Sequence, residues 1–117
     1  MNSGEVADFA RRPPTLERST RVFALYVQGN SMSRWREQGQ LVYCDPVRPA
    51  KPGDRVVVEC HPDRDGDGHP AFLKELVGQT GTKLRLKQYN PETIVEIPLS
   101  KVKQIHRVME WEEILGL

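Results

Sequence analysis

Scarcities narrow this chain first. Two cysteines, Cys44 and Cys60, in 117 residues are too few for a disulfide-stapled framework. Each sits among apolar residues, so the expectation is two buried thiols in a reducing compartment. Neither sign of charge dominates: 17 Lys and Arg against 16 Asp and Glu leave a net charge of +1. A broad electrostatic footprint for nucleic acid or an anionic membrane is therefore missing. No apolar run approaches the roughly 18 residues that cross a bilayer. The opening Met1-Asn2-Ser3-Gly4-Glu5 has neither the basic nor the apolar region of a secretion signal. A soluble, cytoplasmic protein without a membrane partner is the expectation. The length suits one domain with one core.

Turn-forming residues, by contrast, are plentiful, and they divide the chain. Residues 1–20 are polar and irregular, with Arg11-Arg12-Pro13-Pro14 favouring extended chain, and read as an arm. Residues 21–117 read as the folded domain. Val22 to Val27 is a compact apolar run ending near Gly29, the mark of a buried strand. Ser31 to Gln38 has room for one or two helical turns before Gly39. Leu41 to Tyr43, Arg55 to Cys60, Ala71 to Val77, Lys83 to Tyr89, Thr93 to Ile97 and Lys101 to Met109 read as further strands. Pro49 to Asp54, His61 to Pro70, Gly78 to Thr82 and Asn90-Pro91 are the turns and loops between them. Pro98 cannot donate to a ladder and belongs at a strand end or edge. Short strands punctuated this densely predict an all-β, mostly antiparallel domain. Glu110 to Leu117 form a mixed acidic and apolar tail.

Two residues carry chemical promise. Ser31 follows a strand and the Gly29-Asn30 bend, a placement that projects a hydroxyl from the sheet edge. The amides after such a bend can line an oxyanion hole. A serine there also reads as a helix N-cap. Lys74 lies in Phe72-Leu73-Lys74-Glu75-Leu76. Alternation puts it on one strand face between Phe72 and Leu76, with Glu75 turned away. Desolvation there disfavours the ammonium, and a neutral amine can take a serine's proton. The plainer alternative is a lysine whose stem is buried and whose head reaches water.

Other signals are weaker. Asp63, Asp65, Asp67 and Gly68 imitate the start of a calcium loop, but the twelfth position is Lys74, where a bidentate carboxylate is required. Cys60, His61 and His69 match no zinc-ligand spacing. Neither metal nor cofactor is expected. His106 is the alternative base if Lys74 does not serve.

Six blocks recur in one order: Tyr26-Val27-Gln28-Gly29-Asn30-Ser31-Met32, Gly39 to Tyr43, Gly53 to Val58, Phe72 to Leu76, Leu84-Arg85-Leu86 with Asn90-Pro91, and Ile105 to Val108. This series resembles the Ser–Lys peptidase domain of LexA, UmuD and phage repressors. Ser31 and Lys74 stand 43 residues apart, a spacing similar to the phage-repressor branch. The resemblance implies a strongly twisted, partly closed barrel, with Ser31 as nucleophile and Lys74 as general base. Met32 would pack in the core and offer its amide to the oxyanion. It further implies self-cleavage promoted by an activated RecA filament, and a homodimer. DNA would be bound only through a helix-turn-helix domain absent from this chain. Three features depart from the family pattern. Asn30 replaces the usual aspartate, Ser33-Arg34-Trp35 replaces a nearby proline, and the Ala-Gly or Cys-Gly bond at which the family cleaves is missing. A dyad-bearing domain that serves only for dimerisation is the alternative.

Overall fold

The computed structural model describes residues 6–10, as backbone, and 22–110. Eight strands follow in order: β1 Val6–Ala10, β2 Phe23–Val27, β3 Leu41–Asp45, β4 Arg55–Cys60, β5 Ala71–Gln79, β6 Lys83–Tyr89, β7 Glu92–Pro98 and β8 Val102–Val108. A 3-10 turn, Leu99–Lys101, leads into β8. All pairings are antiparallel, in one sheet of order β1-β2-β3-β8-β4-β5-β6-β7. The sheet curls far enough to bring β1 beside β5, while β1 and β7 remain its edges. The all-β, partly closed form expected from the sequence is therefore present.

Among the described residues, the two larger of the three buried clusters lie on either side of β4 and β5, which are covered on both faces; the third is Val22 with Met109. Val57 pairs with Leu73 and faces a cluster with Leu25, Val27, Met32, Val42, Cys44 and Val108. Val56 and Val58 point the other way and meet Cys60, Leu76, Leu84 and Leu86. Val56 and Val58 have 0% exposure and Val57 has 1%, so this valine run is a fully buried central strand rather than an alternating one. Cys44 and Cys60 are free, buried thiols.

One local expectation changes and another is sharpened. Val6–Ala10, read from the sequence as irregular arm, is an edge strand bonded to β2 with Phe9 opposite Leu25. A five-residue run broken by Asp8 is too short for its pattern to stand out from the polar residues around it, and pairing with β2 supplies the order. The one or two turns expected over residues 31–38 are short: the Ser33 amide donates to the Asn30 carbonyl, and those of Trp35 and Arg36 both donate to the Met32 carbonyl. Arg34, at φ 88°, leaves the right-handed path and stops a helix there. The arginines of the arm and the apolar tail residues Trp111, Ile114 and Leu115 lie outside the described residues.

Candidate functional site

The site begins at the end of β2. Gly29 takes φ 80°, a left-handed conformation that a side chain would strain, and turns the chain sharply. The loop that follows is pinned at its base, where Gly39 N donates to Val27 O at 2.9 Å and Val27 N to Gln40 O at 2.8 Å. Its tip docks on the end of β6: the amides of Tyr89 and Asn90 both donate to Ser31 O, each at 2.8 Å. Asn90 Nδ2 adds a bond to Asn30 O at 3.2 Å. The Met32 side chain is driven into the core beside Leu25 and Val42, and has 0% exposure. The Ser31 backbone is thus fixed from two sides.

Lys74 reaches the same point from β5. It pairs with Val56, which puts it on the face of Phe72 and Leu76, as alternation predicts. Its Nζ lies 2.8 Å from Ser31 Oγ, a hydrogen bond between two buried groups at 1% and 0% exposure. The two residues proposed from sequence as nucleophile and base are brought together. Against Lys74 lies a pocket of about 300 Å³, walled by Phe72, Val95, Ile97 and Pro98 and rimmed by Glu96 and Lys101. The apolar wall was not legible in the sequence, because Val95 and Ile97 arrive only through the pairing of β7 with β6.

The remaining candidates are elsewhere. His106 pairs with Val57, on the face opposite Lys74, and its Nε2 sits 3.2 Å from Glu59 Oε1. This removes it as a substitute base. His69 Nδ1 is bonded to the Cys60 carbonyl at 3.1 Å, and Asp63, Asp65 and Asp67 lie in the loop between β4 and β5. Among the described residues no three of His, Cys, Asp and Glu cluster as metal ligands. Also among them, no helix is long and apolar enough to cross a membrane.

One group escaped the sequence reading. Arg55 of β4 donates from Nε to Tyr89 Oη at 3.1 Å and from Nη1 to Glu110 Oε1 at 3.0 Å. Tyr89 Oη in turn donates to Glu75 Oε1. Burial pushes the Tyr89 phenol up, as does its bond to Glu75, against the opposing effect of Arg55. The Arg55 guanidinium also lies 4.9 Å from the centre of the Trp35 ring. No motif announced this cluster, because its members are far apart in the chain.

The sequence is similar to known proteins. The chain is 38% identical over 109 residues to Repressor protein C of Rhizobium phage 16-3. The alignment takes in 92% of this chain and 41% of that repressor, so the chain spans about two-fifths of its relative's length. No solved structure matches. The family model described as Peptidase S24-like covers residues 3–109, nearly the whole chain, and the protein belongs to that family.

Proposed function

We propose that this chain is the LexA-like, self-cleaving regulatory domain of a phage-type transcriptional repressor, a serine peptidase in which Ser31 is the nucleophile and Lys74 the general base. The observation that carries the reading is the 2.8 Å contact between Nζ and Oγ in a site from which water is excluded. Burial favours the neutral amine, and such an amine accepts the serine proton. Oγ then bonds to the scissile carbonyl carbon, and the carbonyl electrons move to oxygen. The Met32 amide donates to no protein acceptor among the described residues, which leaves it available to that oxyanion. Collapse breaks the C–N bond, and the proton on Nζ passes to the departing amine. Water repeats the sequence and releases the acyl group. The apolar pocket beside Lys74 suits an apolar side chain of the cleaved segment.

The setting follows the same reading. The protein acts in the cytoplasm as a homodimer, an activated RecA filament promotes cleavage, and a helix-turn-helix domain of the intact repressor binds DNA. No cofactor takes part. Residues 21–117 form the peptidase unit, with β1 as an N-terminal strap on it.

A second reading has its own support: with Ser31 at 0% exposure, the dyad is closed to solvent in this form, as suits a module kept for dimerisation alone. The test is cleavage of the longer native protein at alkaline pH, wild type against Ser31→Ala. Cleavage lost in the variant supports the peptidase. Equal cleavage in both discards the nucleophile assignment, and no cleavage in either favours the idle module.

A further inference from the structure

Tyr89 makes two unrelated contacts from one position. Its amide holds the carbonyl of Ser31 at 2.8 Å. Its hydroxyl donates to Glu75, the immediate neighbour of Lys74 on β5, and accepts from Arg55 Nε at 3.1 Å. Tyr89 therefore links the loop that carries the serine, through its amide, to the strand that carries the lysine, through its hydroxyl. Arg55 closes the frame: its guanidinium lies over Trp35, four residues beyond Ser31 on the same loop, and its other arm is bonded to Glu110 after β8.

We propose that Tyr89 is a positioning residue for the Ser31–Lys74 pair, fixing the Oγ–Nζ separation by tying the Ser31 carbonyl and the Glu75 carboxylate to one side chain and its own amide. The inference rests on the Ser–Lys reading. Arg55 pairs with Glu75 across β4 and β5, whereas Lys74 pairs with Val56, so the frame stands on the sheet face opposite Nζ. It touches neither Nζ nor Oγ and acts through backbone placement. Ser31 is 43 residues from Lys74 in the chain, and β2 and β5 are not neighbours in the sheet, so neither local connectivity nor a shared ladder sets their separation. A hydrogen-bonded frame of half-buried, charge-assisted contacts is stiff enough to hold such a distance. Small misplacements at a reacting pair are costly in rate.

The test uses the whole chain and a small alkyl fluorophosphonate. In its reaction Ser31 Oγ bonds to phosphorus, fluoride leaves, and the serine proton passes to Nζ. Mass mapping confirms the modified residue, with Ser31→Ala as control. Tyr89→Phe keeps the ring and the amide but loses the hydroxyl; Glu75→Ala removes the same bond from the other end and serves if the first variant does not fold. Each variant is assayed well below its unfolding temperature. A maximal inactivation rate lowered by about tenfold or more is expected in both, with the half-saturating probe concentration unchanged. The double variant should lose no more than either single one. Glu75→Gln, whose amide oxygen still accepts from the tyrosine, should recover most of the rate that Glu75→Ala loses. Wild-type maximal rates in a folded Tyr89→Phe or Glu75→Ala would overturn the inference while leaving Ser31 as nucleophile. A wild type that is never modified at Ser31 would overturn the Ser–Lys reading itself, and the inference with it.

Discussion

At the residue scale, Lys74 stands out among the largest side chains that the fold buries completely. A free lysine, with a pKa of about 10.4, offers roughly one neutral amine in a thousand near neutral pH. The proposed mechanism uses the neutral amine, the form that burial favours in general. Cleavage is therefore expected to rise with pH and then level off above the Lys74 pKa. Lys74→Arg keeps a charge that cannot be surrendered, and Lys74→Ala removes the base; each should lose about 10²–10⁴-fold in rate. A pH–rate profile on the three proteins checks this, and an arginine variant of normal rate would refute it. The cysteines behave oppositely. Burial pushes the Cys44 thiol up to about 12, so the thiolate that reacts is scarce. In native protein at pH 8, Cys44 should resist a disulfide reagent that modifies it promptly in denaturant. Because its folded pKa is raised, its contribution to stability is complete below pH 9.0 and lost as the pH climbs toward about 12.

At the element scale, the turn between β3 and β4 shows how one carboxylate organises a strand entry. Asp54 accepts from Lys51 N at 2.9 Å and from Lys51 Nζ at 3.2 Å, and faces Arg107 Nε at 3.5 Å. Burial pushes its carboxyl up, but those bonds and charges outweigh it and hold the group below its ordinary value. Glu59 is held down in the same way, burial being outweighed by His106 and Lys103. For groups with depressed folded pKa values, the stability they contribute is present above the unfolded value and disappears as pH falls through the folded one. Urea denaturation should therefore show stability declining below about pH 4–4.5, and Asp54→Asn should flatten part of that decline. On β5, Leu73 has 0% exposure and packs against Val57. Leu73→Ala should cost about 2–5 kcal/mol by the same measurement, whereas an exposed site such as Gln79 should tolerate alanine within about 0.5 kcal/mol.

For the whole molecule, association is the property to measure. Tyr26, Val47 and Ile94 are exposed at 42%, 58% and 42%. Ile94 stands on the edge strand β7, which among the described residues is paired on one side only, with β6. Sedimentation at tens of micromolar, in the range where about 1 μM affinities saturate, should give a dimer; monomer alone would count against it. Much of this architecture was legible before any coordinates. Gly, Pro and Asn clusters marked almost every strand end, because those residues act locally. Alternation on β5 placed Lys74 between Phe72 and Leu76, since a strand's two-residue period is local as well. The blocks around Ser31 and Lys74 pointed to the family, which the match over residues 3–109 bears out. Other features depended on contacts far apart in the chain. Val6–Ala10 is a strand only because β2 offers it an edge. His106 was a reasonable substitute base until the β4–β8 register turned it to the other face. The Arg55–Tyr89–Glu75 frame carries no motif, and the pocket by Lys74 needs β7 folded over β5. Residue types and their spacing thus determined which groups could do the chemistry and which segments would be strands. Whether Oγ and Nζ stand 2.8 Å apart was decided by the curl of the sheet and the docking of one loop on the end of β6, because distance between remote residues is set by packing and not by local preference.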